Sequence, residues 1–322
     1  MLKEQLEEVK LASKVLITGG AGFIGHHLTR KLLGMSYEVV VLDNFKTGKM
    51  QNISQHLKNA PFKLVVGDVR NKKVIRNAMN GVDAVVHLAA LISVEESFKN
   101  PIETHNVNVT GTLNVLEEAA RMNIEKFIYA SSTAVYGDGN PLPLREGYPP
   151  KPLSPYATSK ISAEYYCEMF HRSYRLKTVI LRYFNVYGPG QENNPYSGVI
   201  AKFLSNALSG APIAIHGDGK QTRDFIYIDD VVEATILALE SSDAVGQTFN
   251  ICTGTPVSIN ELANIVKELM RKDLKITYDK PRKGDIRDNY GDPSKAFEIL
   301  KFKAKNNLKQ GIKKYISFLC TN

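Results

Sequence analysis

The stretch Lys14-Val15-Leu16-Ile17-Thr18-Gly19-Gly20-Ala21-Gly22-Phe23-Ile24-Gly25 decides the fold that we predict for this chain. Its first five residues form an apolar, β-branched run typical of a buried strand, and Leu28, Leu32 and Leu33 then recur at helical spacing. Between them, the glycines at 20, 22 and 25 satisfy the G-x-G-x-x-G form. Small residues here allow a tight turn and let the backbone approach a pyrophosphate, to which the helix amino terminus offers N–H donors. The stretch therefore predicts a dinucleotide-binding strand, turn and helix.

Asp43 ends the next predicted strand, Glu38 to Leu42, about 20 residues beyond the glycines. A carboxylate at this point can accept hydrogen bonds from the adenosine ribose hydroxyls, and it repels a 2′-phosphate, which favours NAD over NADP. Two alternatives stay open. Lys46 is close enough in sequence to offset that repulsion, and Asp43 could instead cap a loop between a strand and a helix.

Strand and helix patterns alternate through the first half of the chain. Further strands are predicted at Phe62–Val66, Ala84–Leu88, Lys126–Ala130 and Thr178–Leu181, and long helices at Asn108–Arg121 and Tyr156–Tyr174. This alternation predicts the α/β class, with a doubly wound parallel (Rossmann) sheet and ligands at the carboxyl ends of the strands. His87 follows one of these strands, and we interpret it as a core histidine rather than a ligand.

The alternation loosens from Arg182 onward. Residues 183–190 resemble a loop that leaves the sheet, and residues 225–252 resemble a return to it. We therefore predict an NAD-binding domain from residues 1–182 plus 225–252. A smaller α/β carboxyl-terminal substrate domain would comprise residues 183–224 plus 253–322.

Composition limits the classes of protein to consider. The chain has 322 residues, 43% of them apolar and 23% charged, which is typical of a globular enzyme with a large core. No run reaches the roughly 18 apolar residues of a membrane span, and the amino-terminal MLKEQLEEVKLAS is too charged for a signal peptide. It resembles a short solvated helix. The three cysteines have neither metal-site nor disulfide spacing. These features predict a cytoplasmic protein without membrane or metal.

The net charge of +8 comes from 41 basic and 33 acidic residues that are spread along the chain. No nucleic-acid-binding motif accompanies them. A basic surface suited to phosphorylated small molecules is therefore a better interpretation than a nucleic-acid-binding surface.

Tyr156 and Lys160 are the candidate reactive pair. On a helix they stand at i and i+4 and project from one face, where the ammonium would favour the phenolate and give a base usable near neutral pH. Such pairs are common on helix surfaces, so the spacing alone is weak. It gains weight from the glycine-rich turn, Asp43 and the polar residues that follow the predicted strands.

Four motifs together resemble those of the extended short-chain dehydrogenase/reductases. They are TGGAGFIG at 18–25, His87-Leu88-Ala89-Ala90, Ser131-Ser132-Thr133-Ala134-Val135-Tyr136-Gly137 and Tyr156-x-x-x-Lys160. The resemblance covers essentially the whole chain. Within this family the chain looks most like the UDP-hexose 4-epimerases, which carry NAD and invert the C4 hydroxyl of a UDP-sugar.

The resemblance implies a role for individual residues. Tyr156 would be the base, Lys160 its electrostatic partner, and Ser132 a bridge between the sugar O4 and the phenol. The implied cofactor site comprises Gly19, Gly22, Phe23, Ile24, Gly25, Asp43, Asn44, Asp68, Val69, Leu88, Ala89, Ala90, Asn108, Tyr156 and Lys160. The implied substrate site comprises Ser132, Tyr156, Asn185, Val199, His216, Arg223, Arg282, Asp285 and Asn289. Both arginines match diphosphate-binding positions, for which the guanidinium fork is suited, although a merely solvated role stays open.

Sister enzymes differ at Thr133-Ala134. The related 4,6-dehydratases carry an Asp-Glu pair there, and the UDP-glucuronate decarboxylases keep a Glu at the position of Ala134. Elimination needs an acid and a base for that step, so the remaining groups favour epimerisation of UDP-glucose and UDP-galactose. Three alternatives stay open: N-acetylated UDP-sugars, for which Asn289 is intermediate in size; UDP-glucuronate epimerisation or decarboxylation; and a non-catalytic NAD-binding protein. The resemblance also implies a homodimer built on the helices 108–121 and 156–174.

Overall fold

A parallel sheet forms the centre of the structure, a computed structural model that describes residues 14–58, 61–191, 198–281 and 286–321. In chain order its strands are β1 (Lys14–Thr18), β2 (Glu38–Asp43), β3 (Phe62–Val66), β4 (Ala84–His87), β5 (Lys126–Ser132), β6 (Lys177–Tyr183), β7 (Asn185–Tyr187), β8 (Ile213–His216), β9 (Thr222–Arg223), β10 (Phe225–Tyr227), β11 (Thr248–Ile251), β12 (Val257–Ser258), β13 (Ile276–Asp279) and β14 (Asp288–Asn289). Seven of these described strands form the main sheet in the order β11-β6-β5-β4-β1-β2-β3, and every pair in it is parallel. The predicted α/β class and doubly wound sheet are confirmed.

Helices cover both faces of this sheet. They are α1 (Phe23–Gly34), α2 (Lys72–Ala78), α3 (Val94–Lys99), α4 (Pro101–His105), α5 (Gly111–Arg121), α6 (Pro155–Tyr174), α7 (Val199–Ser209), α8 (Ile228–Glu240), α9 (Ile259–Met270), α10 (Ser294–Leu300) and α11 (Leu308–Thr321). In the described ranges, no helix has the length and apolar character that crossing a bilayer requires. The amino-terminal stretch for which we predicted a solvated helix lies outside the described residues.

Two apolar cores lie on opposite faces of the sheet because successive side chains of a strand point in opposite directions. On β1, Val15 and Ile17 belong to one core and Leu16 to the other. Both faces are buried, so β1 and β2 are continuous apolar runs rather than alternating patterns. The strand order reverses between β1 and β4, which opens a crevice at the carboxyl ends of the strands.

Both long predicted helices begin at a proline. Ser154 caps α6 by accepting a 3.1 Å hydrogen bond from Ala157 N, and Pro155 occupies the first turn, where its missing N–H is not needed. The helix that we predicted from Asn108 instead starts at Pro101 and passes through a π-helical turn at Asn106–Thr110 before α5. Such turns are frequent near functional sites.

The later part of the chain adds three small sheets: β7 with β10, β12-β9-β14, and β8 with β13. The expectation that residues 183–190 form only a loop is wrong, because β7 lies within them and pairs with β10. A three-residue strand is too short to produce a readable periodicity. The strand β11 joins the main sheet beside β6.

Candidate active site

A cleft of ≈ 1030 Å³ runs along the carboxyl ends of the central strands and continues between the sheet and the later segments. It brings together most of the predicted site residues: Gly19, Gly22, Phe23, Ile24, Gly25, Asp43, Asn44, Val69, Leu88, Ala89, Ala90, Ser132, Tyr156, Lys160, Asn185, Val199, His216, Arg223 and Asn289. Asp68 and Asn108 lie beside it. Arg282 and Asp285 lie outside the described residues.

Three of the four glycines in the glycine-rich turn have no room for a side chain. A Cβ on Gly20 would lie 2.5 Å from Cγ2 of Val41. Gly19 has a φ of +72°, and a Cβ on it would lie 2.9 Å from Ala89 N. A Cβ on Gly25 would lie 2.2 Å from Gly19 O. Gly22 has an ordinary φ of −75°, and its Cβ would approach nothing closer than Gly19 O at 3.2 Å. Gly22 lines the cleft and has only this one close contact, which leaves room for a molecule in the cleft to approach its backbone.

The amino terminus of α1 suits an anion. No side chain caps this helix, and no acidic residue lies in its first turn. The first N–H groups of a helix have no intrahelical partner and carry a partial positive charge. Together with the open surface at Gly22, this arrangement fits the pyrophosphate of NAD.

Asp43 is both a loop-capping residue and part of the cleft wall. Its carboxylate accepts hydrogen bonds from Ala21 N at 2.9 Å and from Phe45 N at 2.8 Å. Burial raises the pKa of this carboxyl, and the backbone donors partly oppose that shift. A carboxylate offers about four acceptor positions, so contacts with ribose hydroxyls are compatible with the capping role. Lys46 also lines the cleft, and its ammonium pairs with Glu103 at 3.2 Å.

Asp68 and Asn108 support the cleft from behind. Paired hydrogen bonds from the Arg70 guanidinium hold the pKa of the Asp68 carboxyl well below its usual range, and Asn44 Nδ2 donates to the same carboxylate at 2.8 Å. Asn108 Oδ1 accepts from Leu91 N at 2.7 Å, while its Nδ2 donates to Leu91 O and to Ser159 Oγ, both at 2.9 Å. Asn108 thus fastens the loop after β4 to α6.

Tyr156 and Ser132 both line the cleft. The Ser132 hydroxyl accepts a hydrogen bond from Ala134 N at 3.2 Å. Burial raises the pKa of Tyr156 above its ordinary value of 10, and the nearby Ser132 hydroxyl opposes this shift only in part. The side chains alone therefore leave the phenol protonated at neutral pH, which corrects the expectation from the i, i+4 spacing.

Lys160 is buried near the ring of Tyr156. The ammonium donates a 2.8 Å hydrogen bond to Ala130 O and lies 6.0 Å from the centre of the Tyr156 ring. Burial lowers the pKa of Lys160 to about 8. The cation is thus buried next to the phenol, where it acts through space.

His87 is a satisfied core histidine, as predicted. Thr112 gives its own hydroxyl hydrogen to Asn108 O, so it accepts from His87 Nε2 at 2.9 Å, and Thr18 Oγ1 lies 2.7 Å from Nδ1. Burial, followed by the nearby charge of Lys160, lowers the pKa of His87 to about 3. The imidazole is therefore neutral.

The described residues of the predicted substrate site beyond Tyr156 also line the cleft. Asn185 Nδ2 donates to Asp224 O at 2.9 Å, and Arg223 donates to Thr222 O at 2.7 Å. Asn289 Oδ1 accepts from Thr133 Oγ1 at 3.0 Å, whereas its buried Nδ2 has no hydrogen-bond partner in the described structure. His216 Nδ1 lies 3.4 Å from Lys280 O.

Two buried carboxylates near the site were missed at the sequence level. Asp224 accepts from Thr253 N at 2.9 Å and from Gly254 N at 2.8 Å, and so joins the loop after β11 to the strand end that carries Arg223. Glu164 lies on α6, four residues beyond Lys160. Tyr156, Lys160 and Glu164 repeat at intervals of four residues, and this repeat could have identified Glu164 from the sequence. Asp224 had no comparable signal.

Within the described ranges, no group of three or more His, Cys, Asp or Glu side chains is arranged to hold a metal ion.

The sheet order, the glycine turn and the paired Tyr156 and Lys160 together define a dinucleotide-dependent enzyme of the Rossmann type. The sequence pattern of the NAD dependent epimerase/dehydratase family matches residues 15–252, and the chain belongs to this family.

The chain is similar along its whole length to proteins of known or assigned activity. A putative UDP-glucose 4-epimerase of Methanocaldococcus jannaschii is 41% identical over 310 residues, covering 96% of this chain and 99% of that protein. A UDP-N-acetyl-alpha-D-glucosaminuronate decarboxylase of Bacillus cytotoxicus is 35% identical over 96% of this chain and 98% of its own length. The crystal structure of the Thermotoga maritima UDP-glucose 4-epimerase with UDP-glucose matches with a TM-score of 0.91 at 36% identity, over 96% of this chain and 99% of that chain. These findings confirm the predicted resemblance, the NAD cofactor and the isomerase class.

Proposed function

We propose that this protein is a 4-epimerase that interconverts UDP-glucose and UDP-galactose through a 4-keto intermediate. The observation that carries the proposal is that Ser132 and the buried Tyr156 line the same cleft, with Thr133 and Ala134 next to them instead of an acid. One buried hydroxyl relay suffices to remove and return a single proton. The named relatives support a UDP-sugar as substrate.

The residues that we assign to NAD divide along the cleft. The N–H groups at the start of α1 would hold the pyrophosphate, Asp43 the adenosine ribose, and Tyr156 and Lys160 the nicotinamide ribose. When bound, NAD would supply a reversible hydride acceptor for C4 that shows no net turnover, and its positively charged ring would favour the phenolate.

The protein's own groups manage the proton and the anchoring of the substrate. Tyr156 takes the O4 proton, directly or through Ser132, as the C4–H bond breaks and C4 becomes a carbonyl. Asn185, Arg223 and Arg282 would keep the UDP in place while the 4-keto sugar turns its other face. Tyr156 then gives the proton back to O4. Because the sugar has to move, most of the binding energy must come from the UDP, and this explains the arginines in its assigned site.

Removal of the phenol tests the proposal. We expect Tyr156→Phe to lose at least about 10²-fold in rate, the usual scale of general acid–base catalysis, when product UDP-sugars are separated and counted. Ser132→Ala should also slow the reaction but keep bound NAD, because Ser132 belongs to the sugar side. Near wild-type interconversion by Tyr156→Phe would refute the assignment, and loss of NAD from Ser132→Ala would mean that Ser132 is misassigned.

Substrate preference is proposed from Asn289, which corresponds to the position around the C2 substituent of the sugar. Its intermediate size favours UDP-glucose and UDP-galactose, with N-acetylated UDP-sugars as further candidates. A rate on UDP-N-acetylglucosamine about tenfold above that on UDP-glucose would reverse this order. A second candidate is a UDP-uronate 4-epimerase or decarboxylase, which the 35% identical decarboxylase favours. Release of CO₂ from UDP-glucuronate would support decarboxylation, against which Ala134 argues.

We also propose that two copies of the chain associate through α4, α5 and α6. The helices α4 and α6 pack together and leave Ile102 75% and Tyr165 55% exposed, with Met169 also at the surface. Apolar side chains on neighbouring helices are typical of an interface between subunits. Light scattering should give a mass near twice that of the chain, and Tyr165→Arg should shift it toward the monomer. A monomeric wild type at micromolar concentration would refute the dimer.

The domain boundaries stay a proposal of the same kind. The NAD-binding domain would comprise residues 1–182 plus 225–252, and the UDP-sugar-binding domain residues 183–224 plus 253–322. The location of β11 in the main sheet supports the first assignment. The cytoplasmic location stays a prediction.

A further inference from the structure

Glu164 is a buried carboxylate on the catalytic helix that the mechanism above does not use. It is 0% exposed and lies on the same face of α6 as Tyr156 and Lys160, because the three residues are spaced by four. Its carboxylate accepts a hydrogen bond from the hydroxyl of Ser131, the neighbour of Ser132. Glu164 thus lies on α6, which carries Tyr156 and Lys160, and contacts β5, which carries Ser132.

Arg182 completes a buried ion pair with this carboxylate. Its Nε lies 3.0 Å from Glu164 Oε1 and its Nη2 lies 2.7 Å from Oε2, while Nη1 donates to Glu146 O at 3.1 Å. The guanidinium also lies over the Tyr136 ring, 4.7 Å from its centre. Burial of two charges is costly, and a well-packed apolar pair is often as stable. Stability alone is therefore a weak reason for an ion pair at this position.

The surroundings of Lys160 indicate what the pair does. The ammonium faces the ring of Tyr129 on β5 at 5.1 Å and that of Tyr156 on its own helix. His87 on β4 is neutral, and burial raises the pKa of the Cys167 thiol well above its ordinary value, so neither carries charge at neutral pH. Glu164, one helical turn beyond Lys160 on the same face of α6, supplies the negative charge that acts on the ammonium.

We propose that Glu164 is a positioning residue for the reaction: its carboxylate keeps Lys160 in the ammonium form and, through Ser131, holds the end of β5 that carries Ser132. This inference rests on the proposed role of Tyr156 and Lys160. Burial lowers the pKa of Lys160 to about 8, and the charge of Glu164 opposes that shift. Arg182 limits the effect of Glu164 because it has the opposite charge.

The proposal predicts shifts of opposite sign for the two members of the ion pair. In Glu164→Gln, Lys160 loses its counter-charge, so the alkaline limb of the pH–rate profile should move to lower pH by about one unit. In Arg182→Gln, the carboxylate acts on Lys160 without competition, and the limb should move to higher pH. Glu164→Asp keeps the charge and should restore most of the wild-type profile. A purely structural role would lower the rate in both glutamine variants without opposite shifts.

A second readout observes Lys160 without catalysis. In protein labelled with ¹³C at the lysine Cε, the Lys160 signal is identified by its loss in Lys160→Arg, and its titration is followed from pH 6 to 10. The expected order of midpoints is Glu164→Gln, wild type, Arg182→Gln. Equal midpoints in the three proteins would overturn the inference even if Tyr156→Phe is inactive. The expected order would support it even if the sugar substrate proves different. If Glu164→Gln fails to fold, the double variant Glu164→Gln/Arg182→Gln is titrated instead, because it leaves no unpaired buried charge. A Lys160 midpoint equal to or above that of the wild type in this variant refutes the inference.

Discussion

The position of Gly22 in the cleft leads to a prediction that separates cofactor binding from folding. Gly22→Ala adds a methyl group at a φ that alanine adopts readily, but the group would lie 3.2 Å from Gly19 O, a tight contact that the turn must relax by a few tenths of an ångström. Alanine restricts the unfolded chain more than glycine does, which stabilises the variant by about 0.4–1 kcal/mol, and the loss of glycine at the helix N-cap costs about the same. The tight contact then decides the balance, and at the lower end of overpacking effects we expect the free energy of unfolding of the cofactor-free protein to fall by about 1 kcal/mol.

NAD binding should respond much more strongly. The methyl group would stand in the cleft where the backbone is meant to approach the pyrophosphate, and loss of one charge-assisted hydrogen bond costs about 1.5–3 kcal/mol. At about 1.4 kcal/mol for each factor of ten, the dissociation constant should rise about 10- to 100-fold. Isothermal titration of cofactor-free protein with NAD measures this change, and the NAD content of the purified protein gives an independent check.

Gly25→Ala is the matched control. Its Cβ would lie 2.2 Å from Gly19 O and 2.6 Å from Gly20 Cα, both backbone atoms that cannot rotate away. We expect it to destabilise the fold by about 3 kcal/mol, at the upper end of overpacking effects, in denaturant unfolding. Two results would refute the reasoning: unchanged NAD affinity in Gly22→Ala, or a loss of stability in Gly22→Ala as large as that in Gly25→Ala.

Two further predictions concern buried titratable groups. Asp43→Asn should narrow the preference for NAD over NADP by about tenfold, because it removes a charged acceptor for the ribose and the repulsion of a 2′-phosphate. Binding titrations with the two cofactors measure this preference. A wild type that prefers NADP would contradict the assigned contact. His27 and His87, whose pKa values burial lowers to about 4 and about 3, are neutral in the folded protein and charged below pH 6.5 when it unfolds. The unfolded state then binds more protons, so each should lower the free energy of unfolding by about 2 kcal/mol between pH 7 and pH 5. Urea denaturation at the two pH values measures this, and equal stability would contradict it.

Much of the site was predictable because its signals are local. The strand and helix around the glycine turn differ in periodicity within a dozen residues, and Ser154-Pro155 is an ordinary helix start. Parallel strands end at the same edge of their sheet, so the residues that follow them were expected to meet. Most of them line one cleft. Asp68 was predicted on the same principle, but Arg70, two residues away, forms an ion pair with its carboxylate beside the cleft.

By itself, the sequence determined the strand–turn–helix order, the class of fold and the candidate side chains, because these depend on periodicity and on spacings within one element. The order of the strands and the charge states in the site were decided only by tertiary structure. Glu164 meets Arg182, and Thr133 meets Asn289, across sequence separations that no local pattern records. Tyr156 illustrates the same limit, because Lys160, four residues further along the chain, led us to predict an easily ionised phenol. Burial instead raises its pKa, because desolvation depends on every element packed around the ring.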